Sequence, residues 1–101
     1  MFIFNSTFLV SDKVHGAWIE WIKEEYIFSS MKSGIFTHPQ VAKIHTEDEQ
    51  EGTSFSVQFH VSDKVALDLW RAQNEEKIQR KCFEKFGTEV LSFSTVLEIL
   101  L

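Results

Sequence analysis

Two imidazoles, two side-chain amides and a carboxylate are the groups in this chain whose spacing could do chemistry. Asn5 and Thr7 alternate along one strand-like run, Gln58 and His60 along another, and each pair points to one face of its strand. Together the four could line a small polar pocket, or they could simply hydrogen-bond water or a partner's sheet. Glu25 lies near the middle of an apolar helical arc drawn from Val14. Buried there, its carboxyl would titrate high and could act as an acid or base. A helix that ends or kinks near Tyr26 would instead leave it in water. His45 and His60 invite a metal. Hairpin pairing sets His45 opposite Ser56, which puts it ~13 Å from His60 at ~3.3 Å per residue, too far for one ion. His15 and His38 complete no set, so neither a metal nor a cofactor is expected. Cys82 is the single cysteine and reads as a small buried hydrophobe.

The elements that must position these groups come from a repeat. Phe8-Leu9-Val10-Ser11-Asp12-Lys13-Val14 returns as Phe59-His60-Val61-Ser62-Asp63-Lys64-Val65. Each copy follows an alternating run and precedes a Trp, a helical spacing, a Gly and another strand-like run. The first strand spans Phe2 to Val10, and Ser11-Asp12 supplies the N-cap of a helix carrying Val14, Ala17, Trp18, Trp21 and Ile22 on one arc. Gly34 ends that helix. The second strand is predicted from Val41 to Thr46, with Pro39 at its entrance, which suits an edge. Glu47 to Gly52 forms an acidic hairpin tip whose oxygen spacing does not match a calcium loop. Ser54 to Val61 alternates most cleanly, with Phe55, Val57, Phe59 and Val61 on one side. Ser62-Asp63 caps a second helix. Its apolar face loses phase after Ala72, which predicts a break near Gln73–Asn74 and a fresh cap at Asn74. Gly87 closes it, and Val90 to Leu101 is the last strand.

Composition bounds what this framework can do. With 101 residues, 44% of them hydrophobic and ten of them Phe, the chain can bury one core as a single domain, residues 1–101. A net charge of -5 argues against nucleic acid, whose binding rests on Lys and Arg. Phe55 and Phe59 alternate toward the core, so the stacking aromatics of an RNA-recognition sheet are missing from the other face. No apolar run is long enough to cross a bilayer, and the N-terminus lacks the basic region of a signal peptide. The cytoplasm is the expected compartment.

The order βαββαβ, with right-handed crossovers, predicts an α+β ferredoxin-like sandwich: a four-stranded antiparallel sheet with helices on one face. The first and third strands are central, with Phe8 placed beside Phe59 and Val10 beside Val61. The uncovered face then carries Asn5, Thr7, Ser54, Ser56, Gln58 and His60, joined by Val41, Lys43 and His45 through the hairpin. On the last strand Phe93, Leu97 and Ile99 suit the helix side.

Ile3-Phe4-Asn5-Ser6-Thr7-Phe8, Trp18-Ile19-Glu20-Trp21, Met31-Lys32-Ser33-Gly34, Glu51-Gly52-Thr53 through Phe59 and Ser92 through Glu98 resemble a family of short bacterial proteins of unknown function. That family looks like a relative of the dimeric α/β-barrel superfamily, which includes the antibiotic-biosynthesis monooxygenases. The resemblance implies a homodimer with facing sheets and supplies no catalytic residues. Its relatives tend to have His-Ile-Pro where this chain has Tyr26-Ile27-Phe28. A homodimer of no established activity is therefore expected. The alternative is a small-molecule-binding protein or cofactor-independent monooxygenase-like enzyme, with Asn5, Thr7, Gln58 and His60 in a barrel pocket.

Overall fold

A computed structural model of the chain describes residues 1–46 and 51–101. Alternation builds the centre of the sheet. In β1 (Phe2–Val10), Phe4, Ser6, Phe8 and Val10 are buried while the residues between them are half-exposed. β1 pairs antiparallel with β3 (Thr53–Val61) and with β4 (Val90–Glu98), and β2 (Phe36–Ile44) pairs antiparallel with β3. The order β2-β3-β1-β4 leaves β2 and β4 as edges. Two helical arms pack on one face. The first runs through α1 (His15–Trp21), a π-helical segment (Ile22–Ile27) and α2 (Phe28–Met31). The second is α3 (Lys64–Phe86), followed by a 3₁₀ turn (Gly87–Glu89). This is the ferredoxin-like α+β arrangement that the element order predicts.

Aromatic rings fill the space between sheet and helices. Trp18 stacks on Phe55 at 4.7 Å, Phe36 contacts Phe59 at 4.8 Å and Trp70 meets Phe36 edge-on at 4.9 Å between centroids. Gly52 lets the β2–β3 connection approach β1: at φ 91° its hypothetical Cβ would lie 2.4 Å from the Val10 carbonyl oxygen, so no side chain fits there. The expected acidic tip from Glu47 to Gln50 lies outside the described residues.

Several expectations are corrected. The central strands run antiparallel, so Phe8 faces Phe55 and Phe4 faces Phe59, while Val10 is opposite Thr53 and Phe2 opposite Val61. β2 begins at Phe36 instead of Val41, because a bulge carries Pro39 within the strand. Thr37 pairs with His60 and Gln40 with Gln58, leaving His38 and Pro39 opposite one residue, with His38 at φ 54°. Beyond the bulge Ala42, rather than His45, is opposite Ser56. That offset is three residues, an odd number, so Val41 and Lys43 point to the helix side and Gln40, Ala42 and Ile44 to the open side. β4 ends at Glu98, and its faces are reversed from expectation: Val90, Ser94 and Val96 turn toward the helices, while Phe93 and Leu97 are opposite Thr7 and Ile3 on the open face.

The helices depart from the pattern too. α1 starts at His15 with Val14 as N-cap and no side-chain cap, so Ser11-Asp12 belongs to the preceding turn, and Ala17 is exposed. α3 is one unbroken helix. Its mid-section is held by polar groups that an apolar wheel does not count. Arg71 donates two hydrogen bonds to Glu75, at 2.5 and 3.1 Å, and lies over the Phe4 ring, 5.2 Å from its centroid. Asn74 donates its amide to the Trp70 carbonyl at 2.9 Å instead of capping a new helix.

Candidate functional site

The open face can be followed row by row across the order β2-β3-β1-β4. Its rows are Ile44, Ser54, Leu9, Leu91; Ala42, Ser56, Thr7, Phe93; Gln40, Gln58, Asn5, Thr95; and Thr37, His60, Ile3, Leu97. The structure thus brings Asn5, Thr7, Gln58 and His60 onto adjacent strands of one face. Asn5 is the hub. Its amide nitrogen donates to Thr7 Oγ1 at 3.1 Å and Thr95 Oγ1 at 3.3 Å, and its carbonyl oxygen accepts from the Ser56 hydroxyl. Three neighbours therefore engage both ends of the amide and fix its orientation. β4 adds an apolar column: Leu91, Phe93 and Leu97 are 57%, 61% and 47% exposed.

His60 has a neighbour that the sequence did not suggest. The bulge swings His38 over it, with ring centroids 4.9 Å apart, and His38 Nδ1 lies 3.0 Å from Thr37 Oγ1. His15 instead stacks on Phe55. Among the described residues no group of three or more His, Cys, Asp or Glu side chains is placed to hold a metal ion.

Glu25 is exposed, which corrects its reading as a buried acid. The π segment is the reason. Its wider turn holds back the helical phase, so Tyr26 rather than Glu25 takes the inward position. Tyr26 is 4% exposed, and its phenol heads a chain of hydroxyls on the helix side of the sheet. Tyr26 OH lies 3.1 Å from Ser6 Oγ, which lies 2.9 Å from Ser94 Oγ. Burial pushes the Tyr26 pKa up to about 12, outweighing the lowering hydrogen bond from Ser6.

This chain borders a cleft between β1, β4 and α3. Phe4, Phe8 and Trp70 give it an apolar floor; Ile78, Gln79 and Cys82 come from α3 and Ser92 from β4, with Glu75 beside them. Burial raises the Cys82 thiol to about 11, which keeps it protonated and unreactive. Strict alternation could have exposed part of this cleft, because Ser6 falls between Phe4 and Phe8 on the core face. Tyr26 gave no such signal.

Residues 1–100 match the family described as Domain of unknown function (DUF4286). No curated protein matches the chain. Among solved structures, it is similar to a dimeric ferredoxin-like protein from an uncultured marine organism (12% identity, 99% of this chain and 94% of that one, TM-score 0.71). An ethyl tert-butyl ether d (ethd) family protein from Bacillus halodurans is also similar (15% identity, 99% and 100%, TM-score 0.69), as is an antibiotic biosynthesis monooxygenase (9% identity, 100% of each chain, TM-score 0.66). At such identities the likeness is one of fold.

Proposed function

Since the chain belongs to the DUF4286 family, whose function is unknown, we propose a role from its geometry: residues 1–101 act as one domain that forms a homodimer by pairing two open sheet faces. One observation carries this reading. Leu91, Phe93 and Leu97 stand on a face that no helix covers, and clustered exposed apolar side chains of this size mark an association surface. The polar hub around Asn5 would sit inside the closed pair, its bonds already made, which lowers the cost of leaving water. The similar solved structure described as a dimeric ferredoxin-like protein supports a dimer. The protein would work in the cytoplasm, where a single thiol stays reduced.

The alternative role, a small-molecule site or cofactor-independent enzyme built on Asn5, Thr7, Gln58 and His60, draws on the fold shared with the monooxygenase. It has less support, because Thr7, Thr95 and Ser56 already occupy the Asn5 amide. Light scattering after size exclusion tests the dimer. The expected mass is twice 11.8 kDa for the parent chain and 11.8 kDa for Phe93→Asp. A parent chain that is monomeric across concentrations, or a Phe93→Asp variant that stays dimeric, would overturn it.

A further inference from the structure

We propose that His38 and His60 chelate one divalent transition ion of the Zn²⁺ class, with water filling its remaining positions. Both ligands come from one chain, so the site is complete whether or not two open faces pair.

Spacing along the sequence holds these residues apart, and the bulge in β2 brings them together. Thr37 is opposite His60, and the next residue of the bulged strand carries its ring over the His60 ring. The ring centroids are 4.9 Å apart and the planes are inclined by 36°. That separation falls in the range that a single shared ion imposes. With Zn–N bonds of about 2.0 Å and ~1.2 Å from nitrogen to ring centre, two bound imidazoles stand about 4.5 Å apart at a right angle and about 5.2 Å apart at the tetrahedral angle. The observed spacing lies between the two.

The orientation of one ligand is already provided for. His38 Nδ1 lies 3.0 Å from Thr37 Oγ1. With Nδ1–H donating to that oxygen, the free lone pair is left on Nε2 and the ring is held in place. A hydrogen bond from the second ring nitrogen is the usual support of a metal-bound histidine. His38 is exposed and His60 half-buried, so water reaches the pair. Among the described residues His38 is also the one non-glycine residue at positive φ, 54°. Such a backbone is uncommon outside glycine, and bulges re-aim side chains beside functional sites.

Ligand chemistry selects the ion. The four rows of the open face contain no Asp or Glu. A hard cation such as Mg²⁺ therefore finds no carboxylate there, whereas imidazole nitrogens suit Zn²⁺, Cu²⁺ and Ni²⁺.

The test is titration of the untagged full chain with ZnCl₂ and with MgCl₂ at neutral pH, followed by NMR of the imidazole nitrogens. One Zn²⁺ per chain is expected, shifting His38 Nε2 and a ring nitrogen of His60, about a hundredfold more tightly than Mg²⁺. His38→Asn and His60→Ala should each weaken Zn²⁺ binding by about a hundredfold, the advantage of a second tethered ligand. Asn tolerates the His38 backbone, and that position is exposed, so His38→Asn keeps the readout should His60→Ala fold poorly. His45→Ala, at another exposed histidine, should leave binding unchanged. Three outcomes would overturn the proposal: no Zn²⁺ binding, equal affinity for both ions, or affinity that either His38→Asn or a folded His60→Ala leaves intact.

Discussion

The two halves of the molecule carry nearly the same seven residues and start their helices differently. In the second half Asp63 caps α3, its carboxylate accepting from the amides of Val65 at 2.9 Å and Ala66 at 3.3 Å. In the first half Asp12 stands at the matching place and makes no cap. The chain turns through Val14, whose amide donates to the Ser11 carbonyl, before α1 begins at His15. Ser11 also donates its amide to Glu89, tying this corner to the entrance of β4. The halves diverge again further on: the first arm passes through a π segment, and the second is regular for 23 residues. Identical local sequence thus allows a cap without requiring one. Packing demand decides, here the need to seat Trp18 against Phe8 and Phe55.

The contrast between the halves has consequences that mutation can measure. The largest effects belong to the part the halves share. Phe8→Ala and Phe59→Ala remove matched, buried rings and should each cost ~3–5 kcal/mol in chemical denaturation; a Phe8→Ala loss below ~1 kcal/mol would show that the halves do not share the core equally. Next comes the feature that only the first half has. Burial raises the Tyr26 pKa from 10.0 to about 12, so the folded chain holds that proton more tightly than the unfolded one. The resulting stability is intact below about pH 10 and is lost as pH rises through 12, amounting to about 2–3 kcal/mol. Cys82, raised from 9.0 to about 11, adds a loss over an earlier range. Tyr26→Phe should remove the later part of the alkaline decline and keep the earlier one; an unchanged profile would contradict the buried phenol. The smallest effects address the caps. Asp63→Ala should cost about 1 kcal/mol, and Asp12→Ala less than ~0.5 kcal/mol. Equal costs would mean that Asp12 caps in solution after all.

The same contrast explains what could be read from the sequence. Period-two alternation placed Asn5, Thr7, Gln58 and His60 on one face, because both central strands are regular and only one of their faces is apolar. β4 defeated that logic. Its two faces are both apolar, Val90 and Val96 on one and Leu91, Phe93 and Leu97 on the other, so burial alone does not choose between them. Register in β2 turned on the bulge at His38-Pro39, which hid the contact between His38 and His60. Tyr26 was concealed for a related reason. The misses in β2 and at Tyr26 each trace to one residue inserted into a regular element, and an inserted residue leaves composition and hydrophobic pattern nearly untouched.

The bulge in β2 also bears on how many copies of this chain can join. Pro39 has no amide to offer, and the bulge bends the strand around it, so this border is a poor template for another strand. β4 pairs with β1 without irregularity over all nine of its residues. A sheet that can be extended along only one border cannot pass growth on to a third molecule by strand pairing alone. Filaments built edge to edge need two receptive borders, and Pro39 removes one of them.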